Sequence, residues 1–410
     1  RNSLNWIHLN DCQNVRVLGP ITFDSDNRLI CQGTVTGWNA ANGTIDLRIM
    51  PCYNPTNFWA GNLCWHYDTN GVLLTRLNPT ISTNYNPADL TQVRLTVGTS
   101  YFAEPGKLLH VGDLMLARCW WANEKEPVLI NNCQTVALSG IVSYDGGLWW
   151  NGSADTLLMT NCSNDREPHG NELGGGEEIW NMSPNILVFD GCNNGPGWDD
   201  AINSGGAGIH WVCGQPDSRT VLLHATPAVG ELMTFYQGEN WLSEGQARVA
   251  AAPMLVTDPV EATNAITAVN NWMNFWGLRW RLAMNQPLYA VTLDRDLPVT
   301  LCAIADRPGL HSESVVVRNC YFCDMNAQEI LLRAYNSVLI ESNLVERGDS
   351  WGVNCTATRY WWEGPAPQNM TIRNNRFNHV PSAYGYRPEE VWDMDAILVG
   401  EDADGSPMTQ

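Results

Sequence analysis

The chain has 410 residues, of which 44% are hydrophobic and 16% are charged, values that are typical of globular proteins and exclude a disordered or coiled-coil chain. The 23 Lys and Arg residues against 43 Asp and Glu residues give a net charge of −20, which repels nucleic-acid phosphates and anionic membranes. No apolar run reaches the roughly 18 residues of a membrane span. We therefore expect no nucleic-acid partner and no membrane span.

The chain begins at Arg1 without an export signal, which indicates a processed mature protein or a trimmed sequence. The 13 cysteines are an odd number and lie mostly in strand-like contexts. Cys320 and Cys323 form a CxxC pair, but no second pair follows, so we predict buried thiols and no metal or cofactor. Six N-x-Ser/Thr sequons favour a secreted, periplasmic or extracellular protein; they begin at Asn42, Asn151, Asn161, Asn181, Asn354 and Asn369.

Short apolar strands that end in an Asn- or Asp-rich corner, often with a Cys, recur along the chain. The copies contain Cys12, Cys133, Cys162, Cys192, Cys320, Asn343 and Asn375. The intervals between successive copies lie in the range that is typical of stacked repeats. They run from Cys133 to Cys162, from Cys162 to Cys192, from Cys320 to Asn343 and from Asn343 to Asn375. Asn tolerates the left-handed backbone of a tight corner. The pattern predicts an all-β protein, a right-handed parallel β-helix whose Cys and Asn side chains stack as ladders.

Two stretches lack this repeat and alternate strands with turns. Val111-Gly112-Asp113-Leu114-Met115 in the first matches Val229-Gly230-Glu231-Leu232-Met233 in the second, so we interpret both as related antiparallel, barrel-like inserts. The predicted organisation is a β-helix of residues 1–32, 118–205 and 307–395, with inserts at 33–117 and 206–306 and a tail at 396–410. The apolar spacing of the segment from Asp258 to Trp272 predicts a short helix, with Pro259 in its first turn.

The densest acidic constellation is Glu177-Glu178, followed about one repeat later by Asp199-Asp200. Adjacent repeats would place both pairs on one side, where one carboxyl stays protonated while its neighbour stays ionised. Such a pair is typical of glycoside cleavage, although Asp199-Asp200 as a polar corner and Glu177-Glu178 as a solvated loop remain the structural alternative. Exposed aromatics stack on sugars, and the candidates near these acids are Trp149, Trp150, Trp180, Trp198, Tyr360, Trp361 and Trp362. Packing in a core is their alternative role.

Several landmarks together resemble glycoside hydrolase family 110. They are Asn10 to Val15, Gln32 to Val35, Gly112 to Leu114, Gly197 to Asn203, and Tyr360 to Gly364 leading to Thr371 to Asn375. The resemblance implies an α-1,3-galactosidase built on a β-helix with inserted β-barrels, with the family's aspartate pair at Asp199 and Asp200. The family's upstream aspartate falls on the repeat of Glu177 and Glu178.

The chain departs from that family where Gly-Gly-Glu-Glu replaces an Asn-x-Asp context and where Ser204-Gly205 replaces His-Gly. The sugar and linkage therefore stay open. The polygalacturonases of glycoside hydrolase family 28 are an alternative, although their Gly-His-Gly and Arg-Ile-Lys elements have no counterpart. A non-catalytic carbohydrate-binding or adhesin β-helix is a second alternative.

The resulting prediction is an inverting hydrolase of a terminal, α-galactosidic bond in an oligosaccharide or polysaccharide. Asp199 or Asp200 is the predicted base, Glu177 or Glu178 the first choice of acid, and Glu363 the second. The predicted sugar contacts are Trp180, Trp198, Asn203, Tyr360, Trp361 and Trp362. Because the end strands of a parallel stack have open edges, we also expect a homo-oligomer.

Overall fold

A computed structural model describes residues 7–23, 30–50, 64–70, 73–77, 82–86, 88–97, 99–103, 109–118, 128–143, 154–164, 181–182, 184–195, 201–205, 209–278, 281–323, 329–346, 352–357, 364–378 and 397–400. Strands dominate these residues and there is a single α-helix among them, so the protein is all-β. Within this described part, no helix combines the length and the apolar character that crossing a membrane requires.

Thirty-four strands are described, and their bounds in chain order are as follows. Those before residue 120 are β1 Ile7–Asn10, β2 Asn14–Phe23, β3 Ile30–Asn39, β4 Thr44–Ile49, β5 Cys64–Tyr67, β6 Leu73–Leu77, β7 Ser82–Asn86, β8 Asp89–Thr96 and β9 Leu114–Arg118. Those up to residue 205 are β10 Val128–Asn131, β11 Cys133–Ser143, β12 Ala154–Thr160, β13 Ser163–Asn164, β14 Asn181–Met182, β15 Ile186–Asp190, β16 Asn193–Asn194 and β17 Ile202–Ser204.

The next group runs to Asp306: β18 His210–Trp211, β19 Gly214–Asp217, β20 Thr220–Leu223, β21 Leu232–Tyr236, β22 Ser243–Arg248, β23 Met254–Leu255, helix α1 Pro259–Phe275, β24 Tyr289–Thr292 and β25 Ile304–Asp306. The last group is β26 Ser312–Arg318, β27 Tyr321–Cys323, β28 Ile330–Leu332, β29 Tyr335–Glu341, β30 Leu344–Glu346, β31 Val353–Thr356, β32 Met370–Arg373, β33 Arg376–Asn378 and β34 Ile397–Gly400. Short 3₁₀ turns lie at Thr99–Ala103 and Pro308–Leu310.

Strands outside the two interrupting stretches pair in parallel. A twelve-stranded sheet has the order β32-β29-β26-β15-β12-β11-β13-β16-β27-β30-β33, with β2 also on β11. A five-stranded sheet has the order β14-β17-β28-β31-β34, and β1 pairs with β10. Alternate residues of these strands point into one shared hydrophobic core, which contains Leu138, Phe189, Phe322, Ile340 and Val353 among others.

The corner between neighbouring strands is a stack of residues with left-handed backbone. Gly140, Asn161, Gly191, Asn319, Ser342 and Asn374 all have φ between 51° and 67°. The register of the flanking strands puts these six at equivalent positions. Asn, Gly and Ser adopt this conformation at low cost, so the Asn-rich corners predicted from sequence are present.

The cysteine ladder corrects one predicted alignment. Cys162, Cys192 and Cys320 stack in register, and Asn343 and Asn375 continue the same column. Cys133 does not belong to it: it pairs with Ala154 and stacks beside Cys12 at a different corner. The interval from Cys133 to Cys162 was therefore wrong as a repeat length. The physical reason is that the Asn132-Cys133 corner precedes β11, whereas the corner equivalent to Asn161 is Gly140, inside β11.

The two interrupting stretches are antiparallel. Strands β3 to β9 form one sheet of order β6-β5-β9-β3-β4-β8-β7 around its own core, which includes Val35, Leu47, Leu95 and Met115. Strands β18 to β25 form two four-stranded sheets, β18-β25-β21-β22 and β19-β20-β24-β23. Two further cores lie there, one around Trp241 and helix α1 and one around Phe235.

The matching Val-Gly-acid segments of the two stretches form the same turn. Gly112 and Gly230 have φ of 99° and 83°. The Asp113 carboxylate accepts the backbone N–H of His110, and the Glu231 carboxylate accepts that of Ala228, both at 2.7 Å. The strand pairing around each turn differs, because β9 lies between β3 and β5 whereas β21 lies between β22 and β25.

Helix α1 is present where the sequence predicts it and ends three residues later. The Asp258 carboxylate accepts the N–H of Val260 at 2.9 Å and caps the first turn. Ile266, Val269 and Met273 form its buried side. The C-terminal end is a Schellman motif, because Gly277 has φ of 66° and the N–H of Leu278 bonds to the Met273 carbonyl.

Parallel pairing also extends into the residues that the predicted organisation assigns to the tail. Strand β34, Ile397–Gly400, pairs with β31. Its Ile-Leu-Val run lacks an Asn corner, which is why the corner pattern ends before it.

Candidate functional site

Most of the residues predicted to act lie outside the described residues. These are the acids Glu177, Glu178, Asp199, Asp200 and Glu363 and the aromatics Trp149, Trp150, Trp180, Trp198, Tyr360, Trp361 and Trp362. Of the predicted sugar contacts, Asn203 is described, and it lies half-buried in the middle of β17. In the sequence, these segments lie next to strands that the structure describes, among them β14, β17 and β31.

The five-stranded parallel sheet has an apolar and a polar face. Ile202, Ile330 and Val353 belong to the shared core and form the inner face. Because strand residues alternate, Asn203, Leu331 and Asn354, which pair with one another in register, point to the other face. The polar face is covered, since Leu331 and Asn354 are both buried.

A buried acid and a buried base flank β28 on that polar face. Glu329 comes immediately before the strand and Arg333 immediately after it, with exposures of 0% and 3%. Nε of Arg333 donates to the Thr356 carbonyl at 2.8 Å, and the Arg333 N–H donates to the Ser204 carbonyl at 2.9 Å. Oδ1 of Asn354 accepts the N–H and the hydroxyl of Thr356 at 3.1 and 2.8 Å. Charged side chains are seldom fully buried without a specific role.

Behind this face, a hydroxyl pair ties β17 to the core. The Ser204 hydroxyl and the Tyr335 phenol are 2.6 Å apart, and burial raises the pKa of the Tyr335 phenol above its ordinary value of 10.0. The pair therefore stays protonated at neutral pH and holds β17 rigidly against β29.

Acidic residues precede each strand of this sheet in the sequence. Glu177 and Glu178 come before β14, Asp199 and Asp200 before β17, and Glu329 before β28. Asp349 and Asp393 with Asp395 precede β31 and β34. Since the strands are parallel, their amino-terminal ends share one edge.

The opposite edge of the sheet meets the second antiparallel region. Ala357, just after β31, belongs to the core around Trp241 and helix α1. A Cβ on Gly364 would lie 2.8 Å from the Ala357 Cβ and 2.9 Å from Cη2 of Trp241. Ala357 and Gly364 therefore lie together beside the core that contains the fully buried Trp241.

A carboxylate, a guanidinium and two side-chain amides, those of Glu329, Arg333, Asn203 and Asn354, therefore lie at one covered face of the sheet. The described residues contain no cluster of three or more His, Cys, Asp or Glu with metal-binding geometry.

Sequence reasoning missed Glu329 and Arg333. The register Asn203↔Leu331 joins residues 128 positions apart, because the second antiparallel stretch separates two neighbouring parallel strands. Strands β17 and β28 carry the same apolar residue at Ile202 and Ile330. Aligning these two strands across the second antiparallel stretch is the sequence signal that would locate Glu329.

Neither a scan against protein-family models nor a search of curated proteins finds a match to this chain. The motif resemblance to glycoside hydrolase family 110 therefore rests on the quoted residues.

Proposed function

We propose that the protein is a glycoside hydrolase that cleaves a terminal, α-galactosidic bond of a glycan with inversion. Its proposed scaffold is a right-handed parallel β-helix that carries two inserted, barrel-like antiparallel domains. Parallel strands that stack repeat by repeat around one core, with a column of left-handed corners, support this scaffold.

The register between β14 and β17 is the observation that carries the functional proposal. Asn181 pairs with Asn203, an offset of 22 residues. Glu177 and Asp199 have the same offset, as do Glu178 and Asp200. If that register continues for the three to four residues before it, the two acidic pairs face each other across one strand spacing, about 4.8 Å between backbones.

In the proposed mechanism, Asp199 or Asp200 removes a proton from the attacking water, and the other member of the pair holds that water. Glu177 or Glu178 protonates the leaving oxygen, with Glu363 as the second candidate acid. Inversion requires the acid and base carboxyl groups to be roughly 6.5–9.5 Å apart, which a diagonal offset between neighbouring strands supplies. Asn203 and the aromatics Trp180, Trp198, Tyr360, Trp361 and Trp362 bind the sugar.

A glycan panel tests this proposal. The protein is incubated with α-galactosides of several linkages, with β-linked controls and with polygalacturonate, and the first-formed anomer is recorded by NMR. We expect release of galactose from an α-linked substrate, with the β-anomer appearing first.

Three results contradict parts of the proposal. Binding without release of sugar by the folded protein assigns a carbohydrate-binding module instead. Cleavage of polygalacturonate alone assigns the polygalacturonase alternative. Initial release of the α-anomer rejects inversion.

A further inference from the structure

We propose that Cys12 and Cys133 are an oxidisable pair whose disulfide fastens β1 and its corner to the rest of the parallel stack. Both residues are free thiols in the structure. The reaction partner is a small-molecule disulfide such as oxidised glutathione. This inference does not depend on the proposed glycosidase activity.

The corner after β1 and the corner after β10 have the same backbone conformation. The two strands pair in parallel, and their last register pair is Asn10↔Asn131. Asp11 and Asn132 come next, with φ of 53° and 47°. The Asp11 N–H donates to the Asn131 carbonyl at 3.0 Å, and Nδ2 of Asn132 donates to Oδ1 of Asp11 at 2.7 Å. The register of the strands therefore continues through the corner.

Cys12 and Cys133 follow these corners at equivalent positions. The N–H of Gln134 donates to the Cys12 carbonyl at 2.8 Å, so the two segments are still paired at the cysteines. Neighbouring parallel strands lie about 4.8 Å apart, and disulfides usually join Cα atoms that are about 4.4–6.8 Å apart. The pair can therefore be bridged without a large movement of the backbone.

The two thiols also point the same way. Sγ of Cys12 donates to the Asn10 carbonyl and Sγ of Cys133 donates to the Asn131 carbonyl, both at 3.3 Å. The two thiols hydrogen-bond to each other as well. Side chains that diverge cannot be bridged, so this shared direction favours a disulfide. Its formation replaces weak thiol hydrogen bonds with one covalent bond.

Access to solvent distinguishes this pair from the buried cysteine column. Among the described cysteines, Cys12 is half-buried and the others are buried. Burial raises the pKa of the Cys133 thiol. Because the thiolate is the nucleophile, we infer that Cys12 attacks first and Cys133 second. Cys162 and Cys192 are also neighbours in register, but Cys162 is 0% exposed and out of reach of a reagent in solvent.

The reaction is an exchange of one disulfide for another. The Cys12 thiolate attacks a sulfur of oxidised glutathione, whose S–S bond breaks and releases one glutathione thiolate. The Cys133 thiolate then attacks Sγ of Cys12 and releases the second. Two cysteine thiols are oxidised to one disulfide, one molecule of oxidised glutathione is reduced to two thiols, and the two protons pass to the glutathione thiolates.

The bridge strengthens a weakly held edge of the stack. Among the described strands, β1 pairs with β10 alone, over four residues. All of β3 to β9 lies between the two cysteines in the sequence. The bridge therefore closes a long loop, and a long closed loop removes more entropy from the unfolded chain than a short one. Oxidation should stabilise the protein.

The test equilibrates the folded, full-length protein with oxidised glutathione, and protein kept in dithiothreitol is the reference. Remaining thiols are alkylated in denaturant, and peptides are identified by mass spectrometry. We expect a linked peptide that contains Cys12 and Cys133, whereas Cys162 and Cys192, the matched buried pair, should be recovered alkylated. Oxidation should raise the Tm by about 2–4 °C. Cys12→Ser should remove the linked peptide and the Tm shift, and Cys133→Ser should leave glutathione attached to Cys12.

The proposal is overturned if the folded wild-type protein yields no peptide that links Cys12 to Cys133, or if either of them links to a different cysteine instead. It is also overturned if Cys12→Ser keeps the full Tm shift, or if Cys162 and Cys192 become linked while Cys12 stays a free thiol. The linked peptide is read on the wild-type protein, so a variant that does not fold leaves the test valid. No step needs catalysis, so failure of the proposed hydrolase does not affect the result.

Discussion

Replacing Gly205 with Ala tests how closely the end of β17 packs against the end of β28. Gly205 has φ of 106°, and an added Cβ would lie 1.7 Å from the Arg333 carbonyl oxygen and 2.5 Å from its carbon. Both are backbone atoms, so no side-chain rotation relieves the overlap. The backbone segments at Gly205 and Arg333 must separate by more than 1 Å, which stretches the 2.9 Å hydrogen bond from the Arg333 N–H to the Ser204 carbonyl.

The expected cost has two parts. A non-Gly residue at this φ costs about 1–2 kcal/mol, and displacing the backbone with loss of a buried hydrogen bond adds about 2–3 kcal/mol. Gly230→Ala is the matched control, because Gly230 has φ of 83° and nothing within 4 Å of the added Cβ. The difference between the two variants therefore isolates the close packing.

Thermal unfolding followed by circular dichroism measures both variants. At about 2.1 cal/mol/K per residue, 1 kcal/mol shifts the Tm of a chain this long by about 1 °C. We expect Gly205→Ala to lower the Tm by about 4 °C and Gly230→Ala by about 1–2 °C. Equal shifts in the two variants would refute the packing of β17 against Arg333.

Three further predictions concern the second antiparallel region and the ladder. Burial, followed by the charges of His224 and Arg307, lowers the pKa of His210 from 6.5 to about 3. On acidification, the unfolded chain therefore binds a proton at this residue before the folded chain does. The contribution of His210 to the free energy of unfolding is fully present above pH 6.5 and falls by up to roughly 4 kcal/mol toward pH 3. His210→Phe should flatten this decline in urea titrations across that range, and an unchanged slope would contradict it. Trp241→Ala empties a fully buried site and should cost about 3–5 kcal/mol in chemical denaturation, whereas a loss below about 1 kcal/mol would show that Trp241 does not join the domain to Gly364. Asn343→Ala removes the bonds from Nδ2 to the Val317 carbonyl and from the Cys320 N–H to Oδ1, both 2.9 Å, and should cost about 2–3 kcal/mol, against no loss for the exposed Asn42→Ala; equal melting of the two would contradict the ladder.

Local chemistry made several features predictable from sequence. Asn161, Asn319 and Asn374 were recognisable as corners because few residues accept positive φ, and Asp258-Pro259 marked the start of α1 because a carboxylate caps it and Pro fits its first turn. The helix runs on to Phe275 because Met273 is still buried and Gly277 supplies the stop.

Register was the feature that local patterns could not supply. Cys133 looks like Cys162 over six residues, yet the corner equivalent to Asn161 is Gly140, which only the pairing of β11 with β12 reveals. Glu329 was overlooked for a related reason, since its partner strand β17 lies beyond an entire antiparallel region in the sequence. Long-range pairing depends on how inserts leave and rejoin the stack, and no short window of sequence contains that information.

Hydrolysis of α-1,3-linked galactobiose by the wild-type protein, Asp199→Asn and Asp200→Asn tests the central claim most directly. Asp155→Asn, at an exposed position of β12, is the control, and circular dichroism confirms that each variant is folded. We predict that the wild type and Asp155→Asn release galactose, with the β-anomer first, and that at least one of the two site variants is about 10²–10⁴-fold slower. Wild-type rates in both folded site variants, or no cleavage of any α-galactoside by the wild type, would contradict the account.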